Sequence, residues 1–171
     1  MYAQTDATTA KTETIDIDLL DIISRIQVKF NATNSTNTPT AHHAAQVSKV
    51  EIVDGSEVLY SLSARQIEAL MFYNYKQSRA RFLEYRNDNE NHLTLDLLFG
   101  RKLYDPVLAF DPTKFKNPQL KITHNKASGG GAPDAATLEV FADVFDEKRP
   151  SPIGFIMPKE HYSYTTPASA G

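Results

Sequence analysis

Five histidines are the residues of this sequence best suited to hold a metal: the adjacent pair His42-His43 and the separate His92, His124 and His161. Neighbours on an extended chain point to opposite sides, and no H-x-H or H-E-x-x-H spacing supplies a second ligand, so no metal centre is expected. Carboxylates cluster at Asp16-Ile17-Asp18 and around Asp88, Glu90 and Asp96. Paired carboxylates can do general acid–base work, but these fall in turns and on outward strand positions, where solvation accounts for them. Gly129-Gly130-Gly131 lacks the following Lys-Ser/Thr of a phosphate loop, and no serine sits in a nucleophile-elbow sequence. Tyr73, Tyr75, Phe82 and Tyr85, interleaved with Arg79, Arg81 and Arg86, have the composition of a base-stacking platform. Packing at a sheet edge or a subunit contact is the commoner use of such a cluster. The reading is of no catalytic residue, no cofactor, no metal and no specific nucleic-acid partner.

Composition agrees with that reading. The 171 residues carry a formal net charge of −3, which gives no general attraction to nucleic acid or to an anionic membrane. With 41% hydrophobic and 23% charged residues the chain belongs to the globular class. It contains no cysteine, which excludes disulfides and thiolate chemistry. No apolar run approaches the roughly 18 residues of a membrane span. The first residues, MYAQTDATTAKTET, lack the apolar core of a secretory signal. Met1 to Glu13, rich in Thr and Ala and without periodicity, reads as a flexible arm, and residues 14–171 as a single domain.

The elements that must position these residues are mostly strands. Val50 and Ile52 alternate with Lys49 and Glu51, and Asp54-Gly55 supplies the residue types of a type I′ turn before Val58 and Tyr60 resume the alternation, with Glu57, Leu59 and Ser61 on the other, outer face. Ser63 follows as a helix N-cap with Gln66 completing a capping box, and Ile67, Leu70 and Met71 form the expected buried stripe. Further strands are expected at Ile15/Ile17, at Ile26/Val28/Phe30, at Leu93/Leu95/Leu97, at Leu120/Ile122 and over Thr137 to Asp146. Pro106, Pro112 and Pro118 exclude a long helix or central strand between Phe99 and Pro118. Strands separated by loops rather than by regular helices imply an all-β antiparallel sandwich with one or two short helices and long loops. The helix between strands and the proline-punctuated insertion favour a jelly roll over an immunoglobulin-like sandwich.

At KVEIVDGSEVLYSLSARQIEAL, Lys49 to Leu70, the chain resembles the N-terminal jelly roll of the double jelly-roll major capsid proteins of tailless icosahedral bacteriophages. An apolar strand, Asp54-Gly55-Ser56, a second short strand and a capped helix come in the same order, and the closing HYSYTTPASAG is similar to the join to a following strand. The resemblance implies a structural coat protein of the virion, assembled in the host cytoplasm. It further implies a homo-oligomer in a trimeric capsomer, contact with other capsid proteins, and proximity to an internal viral membrane. The chain departs from the pattern in having no second jelly roll within its 171 residues, so it reads as the first half of a double jelly roll or as one of two separate subunits. Candidate subunit contacts are Tyr104, Phe110 and Phe115 in the proline-rich insertion and Phe155, Ile156, Tyr162 and Tyr164 near the C-terminus. The alternative is a carbohydrate- or ligand-binding sandwich with Tyr73 and Tyr85 lining a groove. A cupin-type enzyme ranks last because the histidines do not cluster.

Overall fold

Period-two alternation builds the strands of this chain, and the computed structural model describes residues 2–34, 42–76, 89–128, 133–146 and 150–162. In chain order the elements are β1 (Tyr2–Asp6), β2 (Lys11–Asp16), β3 (Ile23–Asn34), β4 (Val47–Asp54), β5 (Glu57–Leu62), α1 (Ala64–Tyr75), β6 (Asn89–Leu98), β7 (Pro118–His124) and β8 (Ala135–Val144). Short 3-10 helices at His43–Gln46 and Pro112–Lys114 lead toward β4 and β7.

The strands form two antiparallel four-stranded sheets, in the orders β1-β8-β3-β6 and β2-β7-β4-β5. Pairs β1·β8, β2·β7, β3·β6 and β4·β5 run from the outside of the sequence to its middle. A chain folded into one long hairpin and then rolled, with successive pairs falling alternately into two sheets, has this order. It is the eight-stranded jelly roll. Side chains of alternate residues meet between the sheets: Ile26, Val28 and Phe30 of β3, Leu95 and Leu97 of β6, and Leu138 and Val140 of β8 face Val50, Ile52, Leu120 and Ile122 of the other sheet, all buried. Connections β2–β3, β4–β5 and β6–β7 share one end of the sandwich, and the remaining connections share the other.

Sheet edges are where backbone hydrogen bonds stay open. On the flank between β5 and β6 the chain covers its own edges. Residues 150–162 form a strap beside β5, with Pro158 C=O accepting the Ser61 N–H at 3.2 Å and the Glu160 N–H donating to Ser61 C=O at 2.8 Å. Nearer the other end the Ile156 N–H donates to Phe99 C=O at 2.8 Å, just past β6. Helix α1 lies across the same flank.

Four expectations need correction. The arm expected over Met1 to Glu13 is not free: Tyr2–Asp6 pairs with β8 and Lys11–Asp16 pairs with β7, and Ala7 between them is fully buried. Its polar composition fits edge strands with one wet face. The turn is centred on Gly55-Ser56, not Asp54-Gly55; only Gly55 has positive φ (+60°), the pattern of a type II′ turn. Asp54 instead ends β4 and accepts the N–H groups of Lys116 (3.2 Å) and Asn117 (2.7 Å). Leu59, expected on the outer face, is buried with Tyr60, because a β-bulge interrupts β5 there and covering elements leave no wet face. Lastly, α1 buries Ala64, Ile67 and Met71, whereas Leu70 is 37% exposed. The buried stripe follows an i, i+3, i+7 line that leaves Leu70 at its rim.

Candidate functional site

Among the described residues, those with chemical potential do not converge. His43 is buried behind Phe30, its Nε2 3.2 Å from the Phe30 carbonyl, and burial pulls its pKa down to about 4. His124 packs against the same ring, 5.7 Å between centroids, and burial lowers its pKa too, against the pull of Glu13. His42 faces Glu68 at 3.7 Å, His92 bonds Asn31 at 2.9 Å, and His161 is exposed. Among the described residues no group of three or more His, Asp or Glu side chains has the arrangement of a metal site. Asp16 accepts a hydrogen bond from Gln119 at 2.7 Å on an exposed edge. Asp96 points away from the core yet is buried, paired with Arg25 Nη1 at 3.0 Å and accepting from Gln27 at 2.8 Å, while Arg25 Nε reaches Asp143 at 2.6 Å. This network fastens three strands together and leaves no carboxylate poised for catalysis. The triple glycine, Asp88 and the Arg79–Arg86 cluster with Phe82 and Tyr85 lie outside the described residues.

The loop after β6 and the strap account for most of the candidate contacts. Gly100 begins a tight reversal: a Cβ there would stand 2.5 Å from the Leu108 carbonyl oxygen. Asp105 holds the reversal, receiving Arg101 Nε at 2.8 Å and the N–H groups of Val107 (2.9 Å) and Leu108 (3.3 Å). The Arg101 hydrogen bond, with those backbone donors, keeps its carboxyl well below the usual range. Folded back in this way, Phe110 enters the core completely and stacks between Phe99 (5.1 Å) and Phe115 (5.0 Å), with Phe155 of the strap edge-on at 5.1 Å. Phe110 is therefore interior and is not a subunit contact, and the half-buried Phe115 and Phe155 spend their rings on the same cluster. Sequence periodicity could not see this, because the prolines that forbid regular structure also turn these aromatics inward.

Tyr104, Ile156 and Tyr162 do reach the surface, at 48%, 40% and 77% exposure; Tyr164 lies outside the described residues. Two apolar surfaces result. One is on the α1 flank, where Leu70, Phe72 and Tyr73 are exposed on the helix and Ile156 and Met157 on the strap, with Leu70 and Ile156 lining one shallow pocket. Between helix and strap runs a shallow groove walled by Leu62, Ala69, Leu70, Tyr73 and Pro158. The other surface is at the end of the sandwich, with Leu103, Tyr104, Val107 and Ile153; the Ile153 N–H bonds the Val107 carbonyl at 3.0 Å. The cap of α1 joins the first surface together. Ser63 Oγ accepts the Gln66 N–H at 3.4 Å, Gln66 Oε1 accepts the Ser63 N–H at 2.7 Å, and Gln66 Nε2 donates to Glu160 of the strap at 2.6 Å. Glu160 was the member of this set that the sequence did not suggest.

Viral capsid proteins share this architecture. The crystal structure of the STIV MCP, the major capsid protein of Sulfolobus Turreted Icosahedral Virus, matches 83% of this chain and 48% of its own at TM-score 0.57 and 18% identity. A chain from the atomic structure of the same virus matches 82% of this chain and 42% of its own at TM-score 0.58 and 18% identity, and one from the PBCV-1 virus capsid 84% and 41% at 0.55 and 14%. At that identity the likeness defines the fold, and the chain spans less than half the length of each of these three structures. No protein-family model matches the chain, and no curated protein matches it.

Proposed function

We propose that this chain is a structural coat subunit of an icosahedral viral shell, acting by self-association and transforming no substrate. The observation that carries the reading is the rolled strand order, shared over more than four-fifths of the chain with structures from viral capsids. A rigid sandwich with apolar surfaces on its flank and end is suited to repeated contacts with identical copies. In this reading the chain is one jelly roll of a pair, the second either following in the same polypeptide or carried by another subunit. It builds trimeric capsomers, meets other capsid proteins, and lies near an internal membrane where the virus has one. It assembles in the host cytoplasm, resides in the virion and makes no specific nucleic-acid contact. A sugar-binding module is less favoured: the groove beside Tyr73 has walls of Leu62, Ala69, Leu70 and Pro158, and two of its three charged or amide side chains, Gln66 and Glu160, are already bonded to each other at 2.6 Å.

Light scattering after size exclusion, followed by negative-stain microscopy, tests the proposal. Discrete oligomers or shells are the expected result. A chain that remains monomeric at high concentration, alone and with a second jelly roll supplied, overturns it.

A further inference from the structure

We propose that the 3-10 turn His43–Gln46 is an acid-operated plug, which closes one end of the sandwich over Phe30 near neutral pH and is released in acid while the two sheets stay paired. The inference does not depend on the coat reading. Three observations carry it.

The first is what the rolled topology brings together. Connections β1–β2, β3–β4, β5–β6 and β7–β8 meet at one end of the sandwich, so histidines far apart in sequence become neighbours there. His43 comes from the β3–β4 connection and His124 from the last position of β7, and both rings lie 5.7 Å from the ring of Phe30 on β3. Phe30 belongs to one sheet, whereas His124 and the strand that follows the turn, β4, belong to the other. The two imidazoles therefore form part of the contact between the sheets. Both are buried, at 5% and 2% exposure.

The second is that no carboxylate among the described residues is bonded to His43. Its ring faces the carbonyls of Phe30 and Asn91, and its titratable neighbours are His42 and His92, whose own charge opposes a proton there. The acids of this end are engaged elsewhere. Glu68 of α1, with Arg65 nearby, stands 3.7 Å from His42, and Glu90 stands 4.0 Å from His92. His124 has Glu13 at 3.9 Å, but Lys11 holds that carboxylate at 2.6 Å and Thr5 donates to it at 3.3 Å. Asp6 and Lys11 also act on His124, and Lys126, near Asp6, spends its ammonium on the Pro133 and Asp134 carbonyls. A proton on His43 is thus desolvated without a counter-charge, and it favours the arrangement that gives the imidazole water.

The third is that the turn can leave alone, and that water is waiting to be used when it does. It is four residues long and none of them is paired in either sheet, so its release breaks no strand pairing. It is tied to the chain after β7 by the Asn125 N–H, which donates to the Gln46 carbonyl at 2.8 Å, and by Gln46 Nε2, which donates to the Lys126 carbonyl at 2.8 Å. At the same end Gln46 Oε1, Asn91 Oδ1 and both ring nitrogens of His124 are buried without a hydrogen-bond partner among the described residues. Closure leaves these atoms unsatisfied, and opening hydrates them. Opening also lets His124 take a proton in water, so the second imidazole reinforces the first. The opposite end, where Phe99, Phe110, Phe115 and Phe155 pack ring on ring, has no such response to acid.

An imidazole that titrates near 6.5 in water and at about 4 when buried raises the population of the open form about twentyfold between pH 7 and pH 5. The chain contains no cysteine, so Ala44→Cys in the turn and Ala109→Cys at the opposite end, both 2% exposed positions, each present one buried thiol. Labelling by a methanethiosulfonate is followed at pH 7, 6 and 5, with each rate divided by that of a free cysteine peptide at the same pH. The normalised rate at Ala44→Cys should rise about twentyfold from pH 7 to pH 5. It should also stay unchanged in dilute urea, the mark of a local opening that exposes little surface. His43→Gln in the same chain should flatten most of the rise. Hydrogen exchange at the Asn125 amide of the unaltered chain gives the same readout without a substitution, and should accelerate in step once corrected for its intrinsic rate. Rates at Ala44→Cys and Asn125 that do not change with pH overturn the proposal, and so does a rise that survives His43→Gln. A rise matched at Ala109→Cys with the same steep urea dependence overturns it too, because that is unfolding of the whole domain.

Discussion

Lowering the pH from 7 to 5 should destabilise this protein by about 2 kcal/mol through one buried side chain, His43. The ring is 5% exposed, lies 5.7 Å from the Phe30 ring and touches the Phe30 carbonyl. Burial lowers its pKa to about 4, even though the carbonyls of Phe30 and Asn91 favour the protonated form. In the unfolded chain an ordinary histidine titrates near 6.5. Between those two values the unfolded state holds the extra proton, so stability falls as pH falls; above about pH 6.5 it is fully present. The loss amounts to about 2 kcal/mol at pH 5 and on the order of 3 kcal/mol below the folded pKa. For a domain of this size, 2 kcal/mol corresponds to a fall of about 4–8 °C in thermal midpoint. His124 is shifted in the same direction and contributes to the total slope, so the decisive assay is a comparison. Urea unfolding of the native chain and of His43→Gln, which keeps an N–H donor for the Phe30 carbonyl, is measured at pH 7, 6 and 5. The native chain should lose about 2 kcal/mol more than the variant. Parallel losses in the two proteins would refute the buried neutral imidazole.

Four further outcomes follow from the packing. Ile67→Ala, at a fully buried site, should cost about 2–5 kcal/mol, and Leu70→Ala, at the rim, about 1 kcal/mol or less in chemical denaturation; equal costs would mean that α1 is rotated. Gly55→Val places a β-branched residue at φ +60°, and a loss of at least 1–2 kcal/mol is expected, roughly the penalty of the left-handed region; an unchanged melting temperature contradicts the turn geometry. Arg25→Ala leaves the buried Asp96 without its cation and should cost about 3–5 kcal/mol, partly restored by Asp96→Asn in the same chain. Deleting residues 1–13 removes β1 and part of β2, so calorimetry should show a lower midpoint and not the neutral result of losing a free arm.

Alternation alone was enough to place β3, β4, β6, β7 and β8, since Ile26/Val28/Phe30 or Leu93/Leu95/Leu97 have one face to bury and only a strand aligns them. The cap at Ser63 was equally local: a hydroxyl, an amide three residues on and an apolar stripe are all within one helical turn. The sandwich class followed from these pieces because strands without intervening helices leave few ways to cover their apolar faces. What lay beyond the sequence depended on partners distant in the chain. The end of β2 was legible in the alternation at Ile15/Ile17, but the strand at Tyr2–Asp6 and the start of β2 from Lys11 show no strong alternation because they are edge strands, and only β8 and β7, more than 100 residues away, reveal them. Phe110 looked like an exposed loop aromatic until the Asp105-stapled reversal carried it between Phe99, Phe115 and Phe155. The apolar flank is likewise a tertiary product. Leu70, Phe72 and Tyr73 became a surface only because the core took Ala64, Ile67 and Met71 from the helix, and because a strap about ninety residues further on bonded to Ser61 and walled the groove. Local patterns are set by short-range sterics and periodicity, whereas which apolar residues remain outside is settled by competition for a finite core.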